Sequence, residues 1–201
     1  MSTSTSSLTI GFIGFGTIAS SIATGLLSQE SSSSVSVSHA FVSERSVSKS
    51  SALLSRFGAS KVTVTADNQS IVDSSTLIFL CVLPQQYEQT LSSLKLDPDK
   101  HTVISLVSTS TLASLLTCSK LPPSRVHKMI CLPSVATHSG TCLLTPPSPT
   151  IHAILNTLGG CVDCETEKIM TAMMVSAPRP APGRRRRTAR EGGSFFLLLK
   201  S

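Results

Sequence analysis

The sequence predicts an α/β domain in which a parallel sheet is covered by helices on both faces. Three observations predict it. Short apolar runs alternate with stretches of helical apolar spacing along residues 8–177. Most of the strand-like runs are nearly continuous in apolar residues, as strands buried on both faces are. A glycine-rich turn closes the first strand and opens the first helix.

Each element follows in order. Residues 8–13 make a short apolar strand, and residues 18–27 have helical spacing. Residues 35–42 are β-branched and alternating; residues 47–57 are helical, with Gly58 as the stop. Residues 62–65 make a strand, and Asp67 or Asn68 caps the short helix that follows. Residues 76–83 are the most hydrophobic strand; Pro84 ends it and opens the next helix. Residues 102–107 make a strand, 112–116 a short helix and 126–131 another strand. Pro146, Pro147 and Pro149 break the chain before a helix over 151–158, which Gly159 and Gly160 stop. Residues 161–164 are a last short strand, and a Met-rich helix runs from 165 to 177. No internal repeat is visible.

With 201 residues, one domain is the expectation. A hydrophobic share of 40% against 14% charged suffices for a sizeable core. The chain has no Trp and one Tyr, which argues against a stacking platform for single-stranded nucleic acid. No apolar run approaches the roughly 18–20 residues of a membrane span. The net charge of +6 is local: residues 1–177 hold ten basic and ten acidic groups, while residues 178–201 hold seven basic groups and one acid. The expected layout is a polar, disordered stretch over 1–7, a domain over 8–177 and a disordered Arg/Pro-rich tail over 178–201. The basic pI is thus no sign of a nucleic-acid-binding domain; only the tail, with its run from Arg184 to Arg187, offers an anionic partner a contact. Six Cys without a secretory leader point to reduced thiols and a cytoplasmic setting. Cys161 and Cys164 form one C-x-x-C with no second pair, so no metal site is expected, and small buried hydrophobes on a strand are favoured over a redox pair.

The motif that carries chemistry is Gly14-x-Gly16-x-x-Ala19. Gly14 permits a tight turn, Gly16 lets the backbone approach a pyrophosphate, and Ala19 lets the helix pack on the strand. The N–H groups and dipole at the helix start hold the anion. The fold class is therefore a doubly wound, Rossmann-type sheet, and Gly14, Phe15, Gly16, Thr17 and Ile18 are its first candidate cofactor-binding residues. The end of the second strand sets the cofactor. If Ser43 is terminal, no carboxylate awaits the ribose; Ser43, Arg45 and Ser46 then receive a 2′-phosphate and NADP is favoured. If the strand runs one residue further, Glu44 is terminal and NAD is favoured. NADP is the expectation, with NAD possible.

Together with Thr65-Ala-Asp67-Asn68, Val82-Leu-Pro84-Gln85, the strand over 103–107 and Leu132-Pro133, this motif resembles the pyrroline-5-carboxylate reductase family over residues 8–177, its cofactor domain. The resemblance implies that Asn68 contacts the adenosine ribose and that Val82, Leu83 and Pro84 pass the nicotinamide side. Val107 and Ser108 stand where the family has Ala-Ala-Gly after its fifth strand, and are candidates for the same cofactor. Leu83 replaces a family Lys, and Leu132-Pro-Ser-Val-Ala replaces Met-Pro-Asn-Thr-Pro. Of the family's Ser-Gly-Ser-Gly-Pro-Ala segment only Ser176 and Pro178 remain, which makes Ser176 the candidate catalytic residue. The helical dimerisation domain is replaced by the Arg-rich tail, so a truncated reductase of uncertain oligomeric state is expected. The implied reaction is NADP-dependent reduction of a small imino acid to proline. The alternatives are a non-catalytic dinucleotide-binding module, or a protein that binds through its Arg-rich tail. His138, in a loop with Ser134 and Ser139, is placed near the mouth of the crevice as a candidate proton donor, though a solvated loop residue is the plainer reading. His39, His101, His127 and His152 show no metal spacing.

Overall fold

A single sheet of eight strands organises the described part of the chain. The computed structural model describes residues 7–29 and 36–176. The strands are β1 (Ser7–Ile13), β2 (Ser36–Ser43), β3 (Val62–Thr65), β4 (Leu77–Leu80), β5 (Thr102–Ser105), β6 (Val126–Ile130), β7 (Cys142–Thr145) and β8 (Cys161–Asp163). Their order is β3-β2-β1-β4-β5-β6-β7-β8. The helices are α1 (Thr17–Leu27), α2 (Val47–Phe57), α3 (Asn68–Asp73), α4 (Tyr87–Ser93), α5 (Leu112–Ser119), α6 (Pro149–Asn156) and α7 (Glu167–Ser176). The order over β1 to β6 is that of the doubly wound dinucleotide-binding sheet. Residues 1–6 and 177–201, which hold nearly all of the expected amino-terminal stretch and the whole Arg-rich tail, lie outside the described residues.

The two faces of the sheet bury different side chains, as the two-residue period of a strand requires. Phe12, Phe79 and Ile104 join Ile22 and Leu26 of α1 in one core. Ile13, Ile78 and Leu80 join Ile71 of α3, Leu91 of α4 and Leu115 of α5 in the other. Phe12 stacks on Phe79 with ring centroids 4.8 Å apart.

Four expectations need correction. The sheet is not wholly parallel: β7 runs antiparallel to β6, and β8 is parallel to β7. No strand was expected over Cys142–Thr145, a four-residue apolar run between Gly140 and Pro146. Pro84 does not open α4. The Gln86 N–H donates to the Leu83 carbonyl at 2.9 Å, so Pro84 sits at the second position of a β-turn that its fixed φ suits. Helix α4 begins only at Tyr87, and β4 ends at Leu80 rather than 83.

Candidate cofactor crevice

The chain reverses its winding at β1, which lies between β2 and β4, and the Gly turn leaves β1 at this switch point. Gly14 has φ +84, and a Cβ there would sit 2.5 Å from the Cys81 carbonyl oxygen. Both facts demand glycine. The Gly14 N–H donates to the Ser43 hydroxyl at 3.2 Å, tying the turn to the end of β2. Gly16 is different. It is the N-cap of α1 with φ −82, and a Cβ there would meet no atom within 4 Å. Its backbone conformation is therefore open to residues other than glycine. Its lack of a side chain leaves open space above the unpaired N–H groups of an eleven-residue helix.

A crevice of about 490 Å³ opens here, lined by Gly14, Ser43, Glu44, Arg45, Asn68 and Val82, together with Val47, Ala66 and Thr90, which sequence reasoning passed over. Ser43 is the last residue of β2, the arrangement in which NADP was expected. It is 5% exposed and its hydroxyl accepts the Gly14 N–H, so it pins the turn as well as lining the crevice. Glu44 and Arg45 are exposed on the lining. Arg45 Nη1 donates to Gln86 Oε1 at 2.8 Å, a neutral partner that leaves the guanidinium charge uncompensated by that contact. Asn68 opens α3 behind its cap, Asp67. The Ser70 hydroxyl and the N–H groups of Gln69 and Ser70 hold the Asp67 carboxyl below the usual carboxylate range, so the cap stays charged at neutral pH.

The other candidates scatter. Thr17 is exposed at the first turn of α1. Phe15 is buried (1% exposed), edge-on to Phe12, and Ile18 packs partly against the same core, so neither side chain belongs to the crevice. Leu83 is 60% exposed, and Pro84 is exposed on its turn; neither lines the crevice. Val107 is buried, while Ser108 lines a second cleft. Ser176 closes α7, and its side chain lies outside the described residues.

That second cleft, about 620 Å³, lies between the loop after β5 and α7, with Ser108, Thr109 and Thr111 on one wall and Thr171 and Val175 on the other. At its base Lys128, in the middle of β6, donates to Glu167 Oε1 at 2.7 Å and to the Ser110 carbonyl. Glu167 Oε2 accepts the Leu112 N–H at 3.2 Å, at the start of α5. One carboxylate thus joins α7, β6 and α5. Sequence reasoning missed this pair; the available signal was a Lys inside an otherwise strand-like run at 126–130. Both cavities lie at the carboxyl edge of the sheet. Three inter-strand steps, from β2 through β1 and β4 to β5, span about 14 Å.

His138 is not at the crevice mouth. Its Nδ1 lies 2.7 Å from the Thr157 carbonyl, and it follows the short 3-10 turn Pro133–Thr137. That turn packs on α1 at Gly25, nine residues along the helix from Gly16, or about 13 Å from the crevice end. His39 and His127 are engaged by Ser60 and Thr63 and by Ser124 and Pro146 respectively. The two cysteines of the C-x-x-C pack in different clusters. Cys164 is buried with Leu143 and Met170, its thiol 3.7 Å from the Met173 sulfur, while Cys161 lies with the main core. Burial pushes the Cys161 thiol up to about 12 and also raises Cys164, the reverse of what a redox-active thiol needs.

Comparison with known proteins shows the family and the fold. The profile of the family described as "NADP oxidoreductase coenzyme F420-dependent" matches residues 9–109. Pyrroline-5-carboxylate reductase 3 of Danio rerio is 32% identical over 127 residues, covering 63% of this chain and 41% of the relative. The chain therefore spans about two fifths of that protein's length. Among solved structures, the 1-pyrroline-5-carboxylate reductase of Streptococcus pyogenes superposes with a TM-score of 0.65 at 19% identity, over 84% of this chain and 62% of that one. The pyrroline carboxylate reductase of Plasmodium falciparum, solved with NADP bound, gives 0.66 at 14% identity over 86% and 63%. These likenesses show the fold.

Proposed function

Since the chain belongs to the "NADP oxidoreductase coenzyme F420-dependent" family, we propose that it holds NADPH along the carboxyl edge of its sheet and serves the reduction of a carbon–nitrogen double bond in a small imino acid. The observation that carries this reading is the Gly16 space at the start of α1, directly beyond a Gly14 turn that only glycine permits. A pyrophosphate fits there on the free N–H groups of the first turn, with Thr17 beside it. The adenosine ribose falls between Arg45 and Asn68. Val82 and the loop carrying Ser108 take the nicotinamide side, across the span of about 14 Å between β2 and β5. Bound NADPH supplies the hydride. The chain's own residues hold the pyrophosphate, set the position of the ring and shape the cleft beyond it.

Arg45 attracts the 2′-phosphate of NADPH and Glu44, beside it on the crevice lining, repels it. Arg45→Ala is expected to weaken NADPH binding while leaving NADH nearly unchanged, by about tenfold or less because the exposed guanidinium is screened. Glu44→Gln is expected to move NADPH affinity the other way. Fluorescence titration with both nucleotides checks this; an NADH preference in the unaltered chain sinks the NADP assignment.

A second reading, cofactor binding with little turnover, is favoured by one observation. On the α7 wall of the second cleft Val175 is 69% exposed, so that wall presents an apolar side chain to water. Water exclusion and proximity, which hydride transfer needs, are then weak. The 201-residue polypeptide is expected to bind NADPH and to form little proline from pyrroline-5-carboxylate. Turnover near an ordinary enzymatic rate of about 10 per second would overturn this second reading.

A further inference from the structure

At the far edge of the sheet from β3, three side chains with different donor atoms converge. Cys161 and Asp163 are two residues apart on edge strand β8, so they share one face. His152 reaches them from α6. The Cys161 Sγ, a His152 ring nitrogen and an Asp163 carboxylate oxygen all lie within 4.8 Å of one another, and His152 Nδ1 is 2.9 Å from Asp163 Oδ2. We propose that this cluster is a zinc-class metal site that ties edge strand β8 to α6.

The donor set selects the metal. One thiolate, one imidazole and one carboxylate are the ligand types of zinc, whereas magnesium and calcium take oxygen donors almost alone. Three protein ligands leave a fourth tetrahedral position for water. Burial supports the arrangement: His152 and Cys161 are half-buried and Asp163 is exposed, so the cluster is partly shielded yet open on the carboxylate side. On binding, the thiol proton is released to solvent as the sulfur–metal bond forms, and the cation compensates the charge of a thiolate that burial alone disfavours. The site lies on β8 and α6, none of whose residues line the cofactor crevice, so it does not depend on the nucleotide reading. A metal bridge there would fasten a three-residue strand that, among the described residues, pairs on one side only.

The plain alternative is a solvated His–Asp pair beside a bystander thiol, and the experiment separates the two. The metal-stripped 201-residue protein is titrated with Zn²⁺ against a chromophoric chelator, and separately with Co²⁺, whose thiolate charge-transfer band reports a sulfur ligand. One equivalent of Zn²⁺, the Co²⁺ band and a higher unfolding midpoint with metal are expected. Cys161→Ser should erase the band. Asp163→Asn, an exposed and nearly isosteric change, should weaken Zn²⁺ binding by at least about tenfold, no less than a lost outer-shell partner does. Cys118→Ser should change nothing. Absence of the band in the unaltered protein, its persistence in Cys161→Ser, its loss in Cys118→Ser or unchanged affinity in Asp163→Asn would each overturn the proposal. Far-UV circular dichroism establishes that each variant is folded, and Asp163→Asn decides the matter if Cys161→Ser is not.

Discussion

Gly16→Val is expected to abolish NADPH binding and leave the protein folded. The two halves of that expectation rest on different observations. Folding survives because φ −82 and ψ −166 at Gly16 are extended backbone open to any residue, because a Cβ meets nothing within 4 Å, and because Gly16 supplies no side-chain cap bond to lose. Binding fails because the branched side chain fills the space a pyrophosphate would occupy and shields the N–H groups beneath it. Hydrogen bonds to a charged group contribute about 1.5–3 kcal/mol each, so losing two of them weakens binding by a hundredfold or more. Gly14→Ala makes the contrast. There the added carbon sits 2.5 Å from a backbone oxygen on a φ of +84, so the turn itself is strained and the fold suffers first. Fluorescence titration of the two variants, with circular dichroism and a urea midpoint for each, distinguishes ligand space from turn geometry. A folded Gly16→Val variant with unchanged NADPH affinity would mean that the Gly turn is structural only.

What was legible in the sequence divides along physical lines. The helix at 47–57 and the strand at 62–65 have the expected bounds, because apolar periodicity and Gly58 mark them locally. The cofactor turn was legible because its spacing encodes a backbone shape, and β2 ends at Ser43, one of the two positions weighed. The strand β7 was not legible. Four residues carry no period, and its antiparallel pairing with β6 depends on a return of the chain that no local signal announces. Ser43 was read as a phosphate contact; that its hydroxyl also accepts the N–H of a residue 29 positions away is a tertiary tie that no local signal announces. His138 was placed by analogy of loop position; the Gly25 approach that carries its loop to the opposite end of α1 is a tertiary fact. The Lys128–Glu167 pair joins residues 39 apart, and nothing in either neighbourhood names the other.

That pair makes the largest stability prediction. Glu167→Ala leaves the Lys128 ammonium, whose side chain is 8% exposed, with the Ser110 carbonyl alone among the described residues, and leaves the Leu112 N–H without its acceptor at the start of α5. Breaking a buried pair by removing one partner costs about 3–5 kcal/mol. Glu167 is itself 32% exposed, so water screens part of the interaction and about 2–3 kcal/mol is the expected loss. The effect should be anisotropic. Helix α7 keeps Met170, packed on Leu143 and Cys164, but loses its polar tie to β6 and α5, so amide exchange in α7 should rise before the sheet opens. A hydrophobic replacement of both partners gives the decisive comparison. Lys128→Met with Glu167→Leu removes the buried charge together with its counter-charge, and is expected to recover most of the stability lost in Glu167→Ala, as apolar substitution of buried pairs often does. If urea midpoints show the double variant no more stable than Glu167→Ala, the damage lies in lost packing or in the uncapped Leu112 N–H rather than in an unpaired ammonium. If Glu167→Ala itself changes stability by less than about 0.5 kcal/mol, as a surface substitution does, the carboxylate is not what holds α7 to the sheet.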